Sequence, residues 1–157
     1  MVKTITDQND FFFYFEIIRQ VSPESVLDFG MFLKRIGAVS RSVKNMSFSD
    51  SVLLTGIDQD KTDNLGIYEN VYDSIISEDE LPALSSRYAL AIYINDKVTE
   101  APFSEECRSW LRDHADHIAL KTGPGYKIAD IRSDFGPSVR PITIEQNEYA
   151  LVTLRNE

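Results

Sequence analysis

Apolar positions along this chain recur in two different periods, and they change from one to the other several times. From Asp10 to Val21, the residues Tyr14, Ile17, Ile18 and Val21 fall on one helical face, with Thr6, Asp7 or Asn9 placed to cap it and Ser22-Pro23 to end it. Ser25-Val26-Leu27-Asp28-Phe29-Gly30 then reads as a short buried strand closed by a glycine. Met31 to Lys44 returns to helical spacing through Phe32, Ile36, Val39 and Val43.

The pattern repeats. Ser51 to Asp58 is a second strand, followed by a polar loop, and a weaker strand runs through Val71 to Ile76. Asp79 to Ser86 is compatible with a short helix, after which Tyr88 to Ile94 is a continuous apolar run of the kind buried on both faces of a sheet. A helix begins near Ser104, where Glu105 and Glu106 suit the positive end of its dipole and Cys107, Trp110, Leu111 and Ala115 make its inner stripe. Ile118 to Leu120 is another short strand. The runs Val139 to Ile144 and Tyr149 to Leu154, joined by four polar residues, read as an antiparallel hairpin.

Strands that alternate with helices connect in parallel, because each crossover returns the chain to the same edge of the sheet. The predicted fold is therefore α/β, a doubly wound and mainly parallel sheet with a C-terminal antiparallel hairpin at one edge. Val26–Asp28, Val52–Ile57 and Leu90–Ile94 are the neighbouring buried strands. With 157 residues and neither an internal repeat nor a linker, residues 1–157 are expected to form one domain.

Composition narrows the range of partners. A formal net charge of -9 opposes binding to phosphate backbones or to an anionic membrane surface, both of which need clustered Lys and Arg. Lys34, Arg35, Arg41 and Lys44 do form a basic cluster on one helix, which reads as a solvated face or as a site for an acidic partner. One cysteine, Cys107, permits no internal disulfide, and no stretch has the ~20 apolar residues that span a bilayer. A cytoplasmic protein is expected.

In doubly wound sheets ligands lie beyond the carboxyl ends of the strands, where the strand order reverses. The residues that close those strands are Asp28 and Gly30, Asp58, and Asn95 with Asp96. Here the chain resembles the class I S-adenosylmethionine-dependent methyltransferases, whose first strand ends in an acid and a glycine-rich turn and whose second ends in an acid that holds the ribose hydroxyls. Val26-Leu27-Asp28-Phe29-Gly30 matches the first motif and Gly56-Ile57-Asp58 the second. The resemblance covers nearly the whole chain in the order of elements, including the final hairpin, where Ser138-Val139-Arg140-Pro141 leads into the penultimate strand.

The resemblance implies S-adenosylmethionine as cofactor, with Asp28, Gly30, Asp58, Asn95 and Asp96 around it and no metal. The turn departs from the family. It reads Gly30-Met31-Phe32-Leu33-Lys34, with one glycine where the family alternates several. Glycine serves there because backbone can then approach the ligand without a Cβ.

Each candidate also has a plainer reading. Asp28 and Asp58 suit turns and helix caps at strand ends better than they suit a cofactor, given the single glycine of the turn. Gly123-Pro124-Gly125 suits a surface turn better than an anion cradle. His114 and His117 would lie on neighbouring helical turns if the helix reached that far, where they would favour its dipole. Cys107 sits in the apolar stripe as packing.

Phe11-Phe12-Phe13-Tyr14-Phe15 is the feature least easily explained within one core. At ~100° per residue, three successive side chains already span ~200° of a helix. A contact through Phe11, Phe12 and Phe13 with a second subunit or another protein is expected. Two functions follow from the sequence. One is a methyltransferase-like binding or assembly module with weak or lost S-adenosylmethionine binding, and the other is an active small methyltransferase whose acceptor the sequence does not name.

Overall fold

The computed structural model describes residues 4–29, 53–58, 72–94 and 101–154. Its elements are α1 (Thr4–Val21), β1 (Ser25–Asp28), β2 (Leu53–Asp58), β3 (Ser74–Ser77), a 3-10 helix (Glu78–Ala83), β4 (Tyr88–Tyr93), α2 (Glu105–His114), β5 (Ala115–Lys121), α3 (Ile128–Phe135), β6 (Val139–Ile144) and β7 (Asn147–Thr153). The predicted helix over Met31 to Lys44 lies outside the described residues, as do Gly30, Asn95 and Asp96.

The seven strands form one sheet in the order β3-β2-β1-β4-β5-β7-β6. Pairings from β3 across to β5 are all parallel, whereas β7 runs antiparallel to both β5 and β6. This is the expected doubly wound sheet, with the C-terminal hairpin at its edge. The order reverses between β1 and β4, and ligands of such sheets favour the position beyond the carboxyl ends of the two strands at that reversal.

Side chains alternate across each strand, and the two faces bury separate clusters. Val26, Leu54, Leu90 and Ile92 point toward α1 and meet its Phe13, Tyr14 and Ile17. Leu27, Ile57, Ala91 and Tyr93 point the other way, toward Trp110 and Leu111 of α2 and Ile131 and Phe135 of α3. Tyr88 to Tyr93 is covered on both faces, which is why that stretch of sequence is continuously apolar.

Helix ends explain several boundaries. The Ser104 side chain accepts a hydrogen bond from the Cys107 amide at 3.1 Å, a working N-cap one residue before α2. α1 starts earlier than predicted, so Thr6, Asp7 and Asn9 lie inside it and not ahead of it. It ends where Ser22 takes a left-handed conformation (φ 49) and its amide donates to the Ile18 carbonyl at 2.8 Å. The chain leaves α2 at His114, and Ala115 already begins β5. His117 is therefore a strand residue and not the next turn of a helix.

One element was not predicted at all. α3 is only eight residues long, with Ile128, Ile131 and Phe135 on its inner side, and it ends at Gly136. Helices this short owe their stability to packing and not to propensity, so the local signal is faint.

No helix among the described residues is long and apolar enough to cross a membrane.

Candidate functional site

Asp28 closes β1 at the switch point and is wholly buried. Two phenol hydroxyls donate to its Oδ2, Tyr72 at 2.9 Å and Tyr14 at 3.3 Å. Tyr14 comes from α1 and Tyr72 from the segment entering β3, so one carboxylate ties three elements together. Backbone pairing continues one residue past the strand, where the Phe29 amide donates to the Ile92 carbonyl at 2.9 Å. The Phe29 ring turns to the opposite face and meets Phe103 edge to face at 5.0 Å.

Asp58 closes β2 and is also buried, with 4% of its surface exposed. Asp28 is in register with Gly56, and registered residues of parallel strands share a face. Asp58, two residues further, therefore points to the same side as Asp28, with the two Cα atoms about 8 Å apart from the strand spacing and rise. The two acids that the sequence singled out are brought together on the α1 side. Neither is presented to solvent.

α1 is anchored again four residues before Tyr14. Asp10 is buried in an ion pair with Lys121, whose Nζ lies 3.1 Å from Oδ1, and the Tyr149 hydroxyl donates to the same oxygen at 2.6 Å. Phe13 stacks on the Tyr149 ring with centroids 4.1 Å apart. Asp10, Phe13, Tyr14 and Ile17 thus form the i, i+3, i+4, i+7 stripe that faces the sheet. The N-terminal aromatics divide accordingly. Phe13 and Tyr14 are internal, Phe15 is half-buried and Phe12 keeps 50% of its surface exposed, while the side chain of Phe11 lies outside the description.

On the other face a polar cavity of about 230 Å³ opens between α2 and α3, lined by Arg108, Tyr126, Asp130, Ser133 and Asp134 among others. The Tyr126 hydroxyl donates to Asp134 at 2.6 Å, and Arg108 approaches that carboxylate at 3.8 Å while donating to the Phe103 carbonyl at 2.7 Å. Burial and then the Asp134 carboxylate push the Tyr126 phenol well above its ordinary range. These groups hold α2 to α3, and the volume falls below the ~300 Å³ at which small-molecule sites begin.

The remaining candidates resolve simply. Gly123 and Tyr126 exchange backbone hydrogen bonds at 3.1 and 3.2 Å, which makes Gly123-Pro124-Gly125 a tight surface turn. His114 stacks on Trp110 at 4.6 Å, with its Nδ1 2.9 Å from the Trp110 carbonyl oxygen. Among the described residues no three His, Cys, Asp or Glu side chains gather as metal ligands would. Cys107 is buried in the core cluster with Trp110 and Leu111, and burial pushes its thiol far up, with Glu78 beside it acting in the same sense.

No protein-family model matches the chain, and no curated protein matches it in sequence. Solved structures do. CalS11, a TDP-rhamnose 3'-O-methyltransferase of calicheamicin biosynthesis, superposes with a TM-score of 0.66 at 13% identity over 95% of this chain and 80% of that one. The pyocyanin biosynthetic protein PhzM gives 0.59 at 11% identity over 89% of this chain, which spans only 53% of PhzM. Magnesium protoporphyrin IX methyltransferase from Synechocystis, solved with bound SAH, gives 0.51 at 17% identity over 82% and 73%. The chain has the Rossmann-like fold of the class I methyltransferases, with its mainly parallel sheet and reversed seventh strand.

Of the residues that the resemblance implies around S-adenosylmethionine, Gly30, Asn95 and Asp96 lie outside the described residues, while Asp28 and Asp58 are buried, Asp28 beneath Tyr14 and Tyr72. Sequence reasoning missed both tyrosines. An acid at Asp10 and a tyrosine at Tyr14, four residues apart on a buried stripe, were the available signal for the α1 half of the arrangement, whereas nothing local marks Tyr72.

Proposed function

We propose that this protein is a methyltransferase-like binding or assembly module in which S-adenosylmethionine binding is weak or lost. The observation that carries the reading is the state of Asp28. Its carboxylate holds α1 and the entry to β3 through Tyr14 and Tyr72, a structural task, with no surface left to solvent. The single glycine of Gly30-Met31-Phe32-Leu33-Lys34 supports it as well. The reading takes residues 1–157 as one unit working in the cytoplasm.

Phe12 is the residue through which such a module would meet a second copy or another protein. It is half exposed on α1, while Phe13 is committed to the protein's own core. Large aromatics are favoured at interfaces.

The second reading, an active small methyltransferase, rests on the fold and on the placement of Asp28 and Asp58 on one side of the sheet at adjacent carboxyl ends. Calorimetric titration of the full chain with S-adenosylmethionine and S-adenosylhomocysteine separates the two. The module reading expects little or no heat of binding. Saturable micromolar binding that Asp58→Ala abolishes would establish the enzyme reading in its place.

A further inference from the structure

Two polar anchors lie on one face of α1, Asp10 on Lys121 and Tyr149, and Tyr14 on Asp28. Lys121 and Asp28 are the last residues of β5 and β1, so both anchors seat the helix along the carboxyl edge of the sheet. That is the edge where an open α/β sheet takes its ligand, and β1 is one of the two strands flanking the switch point. A buried acid at that position is suited to ligand hydroxyls or an ammonium group, but its acceptor capacity is drawn upon from inside the protein.

We infer that Tyr14 and Tyr72 form an autoinhibitory latch: their hydroxyls hold the Asp28 carboxylate under α1, and an adenosyl ligand gains that carboxylate only when the two phenols let it go. The latch deepens the module reading above, since it gives the physical reason for weak binding. Its two halves are unequal. The Tyr72 contact at 2.9 Å has normal hydroxyl geometry, whereas the Tyr14 contact at 3.3 Å is long, so Tyr72 is the firmer hold.

Phe keeps each ring while removing its hydroxyl, at a cost in stability because the buried carboxylate loses two donors. S-adenosylhomocysteine is titrated into the parent and into Tyr14→Phe/Tyr72→Phe, with thermal melts to verify that both are folded. The expected result is at least ~10-fold tighter binding by the double variant, an effect of about 1.4 kcal/mol, and loss of that gain when Asp28→Asn is added. Equal affinity in a cooperatively folded double variant overturns the latch. Should the double variant not fold, Tyr72→Phe alone is expected to bind more tightly than the parent, and no gain there overturns it too. A parent that already binds tightly sinks the module reading, while the latch still stands or falls on the ratio between variant and parent.

Discussion

Lys121 at the end of β5 and Asp10 in α1 form a 3.1 Å ion pair in which both side chains are buried, although 111 residues separate them in the chain. Removing two charges from water costs several kcal/mol each, and only close approach with further hydrogen bonds offsets that cost. Here the Tyr149 hydroxyl supplies an additional bond to Asp10. The pair thereby selects one docking position for α1, because any shift of the helix leaves a charge buried alone.

This pair predicts strong coupling. Asp10→Leu or Lys121→Met alone strands the other charge and should cost about 3–5 kcal/mol, whereas the double variant should lose clearly less than the sum. Urea denaturation of the four proteins measures the cycle. A coupling energy near zero would show that the two side chains are solvated in solution.

Backbone conformation predicts opposite effects at two helix ends. Gly136 has φ 100 and ψ -179, a region essentially reserved for glycine, and a Cβ there meets nothing within 4 Å. The cost of Gly136→Ala is thus pure backbone strain, about 1–3 kcal/mol. Ser22 has a left-handed φ that already strains its side chain, so Ser22→Gly should stabilise by about 0.5 kcal/mol after the extra entropy glycine loses. Shifts of the urea midpoint at constant slope check both signs.

His117 predicts a dependence on pH. Burial pulls its pKa below the ordinary value of about 6.5, Asp116 opposes the shift, and the Thr153 hydroxyl lies 3.4 Å from its Nδ1. The unfolded chain then takes up a proton near pH 6.5, while the native state does so only lower down. Between those values the unfolded state binds more protons, so this contribution is fully present above about pH 6.5 and is lost as pH falls. His117→Gln should flatten that part of the stability profile. If the parent and variant curves stay parallel from pH 7 to 5, the shift is absent.

Phe12 predicts an interaction at a modest folding cost. Half of its surface is buried, so Phe12→Ser should cost about 1 kcal/mol, well below the loss expected for the fully buried Phe13. Light scattering over a concentration series should show association in the parent and a monomer in the variant. A parent that remains monomeric throughout rules out self-association, and with it that use of Phe12.

Much of the fold was legible because its signals are local. The apolar run over Tyr88 to Ile94, the stripe of Cys107, Trp110 and Leu111, and the cap at Ser104 all act within a few residues, and each appears where the pattern placed it. The reach of β5 back to Ala115 and the whole of α3 were less legible, since both depend on partners distant in sequence. Asp116 and His117 are acceptable in a strand because β4 pairs with that segment. α3 is held by Tyr126, Arg108 and Arg112, whose Nη1 donates to the Asp134 carbonyl at 2.9 Å.

The sequence by itself determined the α/β class, the parallel connections, the terminal hairpin, and Asp28 and Asp58 as the acids that close neighbouring strands. Periodicity and strand-ending residues are properties of short segments, so they survive without a third dimension. Only the tertiary structure decided which side chains meet the first of those acids. Tyr14, Tyr72 and Asp28 come from three separate parts of the chain, as do Asp10, Lys121 and Tyr149. A buried polar group must be satisfied by whatever neighbour the fold brings within about 3 Å, and no periodicity along the chain encodes which neighbour that is.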